Sequence, residues 1–225
     1  LLSTKSCVLP VLSNKSKNES LPKERLCRIL PLIKTSIPVC SPGSISLCFS
    51  IISFISTAPS KLVGKELEVE VLDTPGHTMT HVCLLSKTDN PALFSGDTLF
   101  NAGAGNCHNG GHPEKLYETF LNQFKNLPAS TMIYPGHDYL KNNLEFTLDR
   151  EPNNKHAKEL LNSIKENSDP GCIITNLKIE NNINTFFRLT NNNIIDRLRE
   201  DFPELSANPS QKEVFLLLRQ LRNKW

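Results

Sequence analysis

At 225 residues, with 38% hydrophobic and 21% charged residues, the chain has room for one or two packed domains and is neither fibrous nor of low complexity. A formal net charge of +2 excludes a strongly basic nucleic-acid binder. Seven cysteines, an odd number without a C-x-x-C pair, argue against a disulfide framework and a structural zinc finger, and suit a reducing cytosol.

The first 60 residues differ from the rest. They hold seven Lys or Arg against two Glu, whereas residues 61–225 hold eighteen basic against twenty-one acidic residues. They also contain thirteen serines, no tyrosine and a single glycine, Gly43, although strands joined by tight turns use glycine freely. Residues 1–61 are therefore expected to be an atypical, Ser-rich, basic and poorly ordered segment. Its apolar stretch SLCFSIISFI is too short to span a membrane, which takes about 20 residues. The apolar run 44–58 starts too late for a leader peptide, and the scattered charge lacks the aromatic interleaving of a nucleic-acid arm. Neither membrane nor nucleic acid is expected as a partner.

From residue 66 the pattern becomes regular. In Glu66–Val71, ELEVEV, apolar and acidic residues alternate as in a half-buried strand, and Pro75 and Gly76 then break it. The turn that follows, DTPGHTMTH at Asp73–His81, carries two histidines. Two later segments repeat that plan: ALFSGDTL at Ala92–Leu99 and TMIYPGHD at Thr131–Asp138 each end an apolar run in a turn bearing Asp or His. Any one of His77, Asp97 and His137 alone reads as ordinary turn chemistry. Three at strand ends read as zinc donors, since zinc takes imidazole nitrogen and carboxylate oxygen.

Helices are predicted over Glu114–Leu127, with Leu116, Phe120, Phe124 and Leu127 as an apolar stripe, then over Tyr139–Arg150 and Asn153–Asn167, separated by Pro152. His156 is expected to face solvent. Near the end, Ser210 and Glu213 form a capping box for a helix running to about Asn223, buried through Val214, Leu217, Leu218 and Leu221. The Asn-rich tract around residues 181–193 reads as turns and surface. Cys107 reads as a loop thiol, because no activating histidine can be assigned to it.

Taken in order, TPGHTMTH, LFSGDTLFNAGAGNCHNGG, YPGHDYLKNNLEF and the final LRQLRNKW resemble glyoxalase II, the hydroxyacylglutathione hydrolase branch of the metallo-β-lactamase superfamily. The likeness runs from about Leu62 to Trp225. It implies an α/β fold, the second half of a four-layer αβ/βα sandwich over 62–150, followed by a helical glutathione-binding domain over 151–225. It further implies two zinc ions, with iron or manganese as alternatives, His77 on the first, His137 on the second and Asp97 bridging both as the catalytic carboxylate. His81 would stay off the metals. The implied reaction is hydrolysis of S-D-lactoylglutathione to glutathione and D-lactate by a monomeric cytoplasmic enzyme, using a hydroxide shared by the metals. Tyr139, Arg219 and Arg222 match glutathione-binding positions, a guanidinium fork being well suited to a carboxylate. Asn106 and His108 fall where many members carry Lys and Tyr, and Thr80 replaces the usual glycine of the turn.

The resemblance also implies an upstream Thr-His-x-His-x-Asp-His motif that supplies most of the remaining metal donors. Residues 1–72 contain no His and no Asp. The reading favoured for this segment is a reading frame or gene start decayed or misassigned upstream of Leu62, the chain beginning with Leu. Strands near Val69, Leu84, Phe94 and Ile133 are then expected to keep an uncovered apolar face and to leave the chain marginally stable. A second functional reading follows: an inactive remnant, or a glutathione-binding module retaining Tyr139, Arg219 and Arg222.

Overall fold

The computed structural model describes residues 61–63, 68–166 and 173–225. The expectations for residues 1–60, for the start of the strand at residues 66 and 67, and for residue 167 at the end of the third predicted helix lie outside the described residues.

Strand β1 (Lys61–Val63), β2 (Glu68–Asp73), β3 (Val82–Ser86) and β4 (Ala92–Gly96) pair antiparallel in chain order. A short hairpin, β5 (Leu99–Phe100) with β6 (Gly103–Ala104), leads into α1 (Pro113–Thr119), after which β7 (Met132–Pro135) joins the sheet parallel to β4. The order β1-β2-β3-β4-β7 places the C-terminal ends of the parallel pair β4 and β7 side by side. Those ends carry Asp97 and His137.

Register separates the two faces of the sheet. Leu72 pairs with Cys83, Leu85 with Leu93, and Leu93 with Ile133, and all five are buried against the helices. On the other face Val71, Leu84, Phe94 and Tyr134 form a half-buried row in which the Phe94 and Tyr134 rings stack at 5.3 Å. Val69 and Val71 of the predicted ELEVEV strand belong to this second face. Its core-facing position is Leu72, one residue beyond the alternation that marked the strand.

The continuous helix predicted over Glu114–Leu127 begins with Pro113, whose fixed φ suits a first helical turn. It then changes type. Over Phe120–Phe124 it widens into a π turn, the Lys125 N–H reaching Phe120 O at 3.0 Å. The Phe120 ring packs there on Phe124, Phe186, Phe187 and Phe215 at 5.2–6.3 Å. Each such ring contributes about 1.5–3 kcal/mol through burial, enough to offset one irregular turn.

Helix α2 (Leu140–Arg150) starts one residue later than predicted, leaving Tyr139 at its N-cap with an exposed ring. α3 (Lys155–Glu166) is capped by Asn154, which accepts from the Ala157 N–H at 3.0 Å. His156 is exposed, as expected. Two helices have no counterpart in the sequence reading: α4 (Leu177–Ile183), capped by Asn176, and α5 (Asn192–Asp201), capped by Asn191. Asn184 caps the 3-10 turn Thr185–Phe187 between them and is fully buried, so the Asn-rich tract is not only surface. α6 (Gln211–Arg222) has the expected Ser210–Glu213 capping box.

One hydrophobic core runs from Leu72 on the sheet through Leu116, Phe120 and Phe186 to Val214, Phe215 and Leu218 on α6. A second cluster joins Ala102 to Leu140, Leu144, Ala157, Leu161 and Ile183. The architecture is thus mixed α/β, a sheet covered on one side by helices and extended by a helical C-terminal region. No helix among the described residues is long and apolar enough to cross a membrane.

Candidate active site

Asp97 follows β4 directly, in a turn closed by the Thr98 N–H on Ser95 O at 3.2 Å. Across the strand ends, the Gly136 N–H donates to Gly96 O at 2.8 Å, which brings His137 onto Asp97. His137 Nδ1 lies 2.7 Å from Asp97 Oδ1. The other carboxylate oxygen, Oδ2, faces His77 Nε2 at 3.9 Å. Side-chain exposure falls from 55% at His137 through 33% at Asp97 to 12% at His77, so the site opens to solvent on the His137 side.

His77 is placed by its turn and by a distant loop. The Thr74 N–H donates to His81 O at 3.0 Å and the Gly76 N–H to Thr78 O at 2.9 Å. Gly76 has φ 143° and packs on Leu116, where a Cβ would come within 2.4 Å of backbone. His77 Nδ1 meets the Asn106 carbonyl at 2.7 Å. A carbonyl only accepts, so the ring proton is on Nδ1, and a neutral ring then turns its Nε2 lone pair toward the Asp97 carboxylate. A cation between them satisfies both acceptors, as does a proton on Nε2.

The donor set suits a metal in kind, imidazole nitrogen and carboxylate oxygen, while one pair stands closer and the other wider than two donors of one ion. Donors about 2.0–2.1 Å from a tetrahedral ion stand roughly 3.4 Å apart, between the two distances at Asp97. It falls short in number. Each pair supplies two donors of the four that zinc takes, and among the described residues no three His, Cys, Asp or Glu side chains converge as an ion would require.

His81 has a different environment. Its Nδ1 lies 3.1 Å from Thr74 Oγ1, and its ring meets His77 edge-on at 6.0 Å. Burial, aided by the neighbouring His77 ring, pushes its pKa down to about 4, so it is a neutral imidazole that ties the turn together.

Of the substrate-binding candidates, Tyr139 stacks on His137 with ring centroids 5.4 Å apart and meets Phe100 edge-on at 5.0 Å. Arg222 is half-buried, donates to Asn143 Oδ1 at 3.0 Å and lies over the Phe146 ring. Burial lowers its pKa while the nearby Tyr139 opposes the shift. Arg219 stands apart from that pair. It is 3% exposed, donates through Nη1 to Ala104 O at 2.7 Å and Gly105 O at 3.0 Å, and lies over the Phe186 ring. A three-residue step along α6 turns one arginine inward and leaves its partner at the surface.

Asn106 contributes its main chain, through the His77 contact, and its side-chain oxygen accepts the His108 N–H at 3.2 Å. His108 itself is exposed. The Cys107 thiol beside them is pushed up by burial, against the pull of Arg219.

The sequence reading missed the glycines that make room for these side chains. A Cβ on Gly105 would lie 1.9 Å from Asp97 O, and one on Gly136 would lie 2.6 Å from Asp97 Oδ1. Their signal was present in the glycine density of GNCHNGG and YPGHD. It also missed Asn143 and Glu180, which carry none.

Residues 138–225 match the family described as Hydroxyacylglutathione hydrolase C-terminus. Over 163 residues the chain is 57% identical to the hydroxyacylglutathione hydrolase of Nitrosococcus oceani, covering 72% of this chain and 62% of that one. The hydroxyacylglutathione hydrolase of Dictyostelium discoideum is 33% identical over 168 residues, covering 71% and 62%. The chain therefore spans about three-fifths of the length of these curated relatives. Among solved structures, that of ETHE1 from Myxococcus xanthus is 22% identical, covers 65% of this chain and 51% of that one, and has a TM-score of 0.41.

Proposed function

We propose that the chain is a hydroxyacylglutathione hydrolase whose site takes a glutathione thioester, S-D-lactoylglutathione or a related 2-hydroxyacyl thioester, and hydrolyses it to glutathione and the 2-hydroxy acid. The observation that carries this reading is Asp97 set between two imidazoles, one carboxylate oxygen toward each, beside the exposed Tyr139 and the half-buried Arg222.

In this reading His77, Asp97 and His137 hold metal, zinc first by donor type, with iron or manganese accepted by the same atoms. Bound there, a divalent ion polarises a carbonyl oxygen and acidifies water. The chain's own contribution is placement. Arg222 takes a substrate carboxylate, a contact that a charged donor makes worth about 1.5–3 kcal/mol. Tyr139 provides a flat ring against the peptide part of glutathione, next to His137. The leaving thiolate needs little help from a protein acid, which fits a site whose neighbouring histidine His81 is neutral and turned to Thr74. The protein would act as a monomer on a small molecule in a reducing cytoplasm, without nucleic acid or membrane.

A second reading has its own support: a module that binds the glutathione part without turnover. Each prospective ion has two donors among the described residues, and residues 1–72 offer no His or Asp. Thiol release from S-D-lactoylglutathione by the purified chain, supplied with zinc and then with chelator, tests the first reading. Chelator-sensitive turnover supports hydrolysis. Glutathione binding without turnover, with less than one zinc per chain, refutes hydrolysis and leaves the binding module.

A further inference from the structure

Residues 101–106 run from the β5–β6 hairpin into the site, and charged side chains from two different helices hold their backbone. Glu180 of α4, fully buried, accepts the Ala102 N–H with both carboxylate oxygens, at 3.1 and 3.0 Å. Thr175 and Asn184 donate to the same carboxylate at 2.5 and 2.8 Å, and Asn184 also donates to Gly103 O at 3.2 Å. Ala102 has φ 57°, in the left-handed region that a residue with a side chain adopts when its surroundings compel it.

Two residues further, Arg219 of α6 donates to the Ala104 and Gly105 carbonyls. The next carbonyl in the chain is that of Asn106, which accepts from His77 Nδ1. The charge of Arg219 is met by these dipoles, by Asn223 Oδ1 at 3.2 Å and by the Phe186 ring rather than by a carboxylate. For folding alone, an apolar side chain of similar size would be the less costly occupant of such a place.

We propose that Glu180 and Arg219 are positioning residues that fix residues 101–106, so that the Asn106 carbonyl holds the His77 ring with its proton on Nδ1 and its Nε2 lone pair toward Asp97. The geometry stands on the hydrogen bonds; its consequence for metal binding rests on the reading of His77 as a ligand. Groups that orient a metal-binding histidine through its other nitrogen typically change affinity by roughly 10–100-fold when removed.

The test is made on the full chain. Ring nitrogens of the six histidines are followed by long-range proton–nitrogen NMR at pH 8, and cobalt(II) affinity is measured by its visible absorption. In the wild type, His77 should show a protonated, hydrogen-bonded Nδ1. Arg219→Met and Glu180→Ala should convert His77 to a mixture of tautomers and weaken cobalt(II) binding roughly 10–100-fold. Glu180→Gln, which keeps an acceptor for the Ala102 N–H, should restore the Nδ1–H form. Arg188→Met, which breaks the ion pair with Glu151 away from this loop, should lower the unfolding temperature without altering His77. If Arg219→Met does not fold, Arg219→Lys, which keeps the charge but cannot span both carbonyls, is read in the same way.

An unchanged His77 tautomer in the Arg219 and Glu180 variants overturns the proposal. So does an equal change in Arg188→Met. If the wild type neither binds cobalt(II) nor hydrolyses thioester, the functional reading falls, while the tautomer still decides the proposal.

Discussion

Replacing Glu180 with glutamine should reverse the order of stability of the two proteins as pH rises. The carboxyl is fully buried, with hydroxyl and amide partners but no cation, and burial raises its pKa from an ordinary 4.5 to about 7 despite hydrogen bonds from Thr175, Asn184 and the Ala102 N–H. Below pH 4.5 it is protonated in both the folded and the unfolded chain. Between 4.5 and 7 the folded chain keeps a proton that the unfolded chain has released, so the stability it contributes is lost as pH rises through that window. A shift of this size corresponds to about 3 kcal/mol. Glutamine does not titrate. It loses one acceptor toward the Thr175 hydroxyl, a cost of about 1 kcal/mol that is the same at every pH. His81 must be removed from the comparison, because its pKa is lowered to about 4 and its stability contribution grows as pH rises from about 4 to its ordinary 6.5. The opposing slopes flatten the wild-type curve, so the difference between the two proteins is the informative quantity. Urea unfolding followed by far-ultraviolet circular dichroism at intervals from pH 4.5 to 8 should show that difference moving by about 3 kcal/mol in favour of Glu180→Gln. Parallel curves would refute the reasoning.

Gly136→Ala places a Cβ 2.6 Å from Asp97 Oδ1 and 3.3 Å from the Gly96 carbonyl carbon, so the carboxylate or the β4–β7 junction has to move. The expected result is an overpacking loss of about 1–3 kcal/mol in urea titrations, together with loss of cobalt(II) absorption. Arg222→Ala should raise KM for S-D-lactoylglutathione roughly ten- to a hundredfold with little change in kcat, as expected for uniform binding, and steady-state kinetics checks it. A fall in kcat alone would mean that Arg222 acts on the reacting group. Ser210→Ala removes the side chain that caps α6, and thermal unfolding should show a loss of about 1 kcal/mol. An unchanged melting temperature would mean that the packing of Val214 and Phe215 alone holds the start of that helix.

Features whose partners lie close in sequence were legible. The Ser210–Glu213 box joins residues three apart and appears as expected. So do the strand ends, because an apolar run followed by Pro-Gly or Gly-Asp marks both the strand and its exit. The π turn was not legible: Leu116, Phe120, Phe124 and Leu127 have the same spacing in an α-helix, and only packing against Phe186 and Phe215, far along the chain, selects the wider turn. α4 has seven residues and α5 ten, too few for a clear period, and their asparagine caps are the residues that also mark turns.

The site divides along the same line. Sequence pattern brought together His77, Asp97 and His137 because each stands in a short strand-end motif of its own, and the family resemblance added Tyr139 two residues after His137. It could not separate Arg219 from Arg222. Basic residues three apart look like one helix face, yet the Ala104 and Gly105 carbonyls and the Phe186 ring hold one of them inward. The groups that Arg219 and Glu180 grip are main-chain atoms 115 and 78 residues away. Every residue has a carbonyl and nearly every one an N–H, so such a partner leaves no mark in composition or spacing. What does leave a mark is the need for small residues where the main chain comes close: Gly103, Gly105 and Gly136 all face polar side chains or backbone at distances that a Cβ would violate. Glycine density around a ligand-bearing turn is therefore the sequence signal that another segment packs closely on that turn, even where it does not reveal which one.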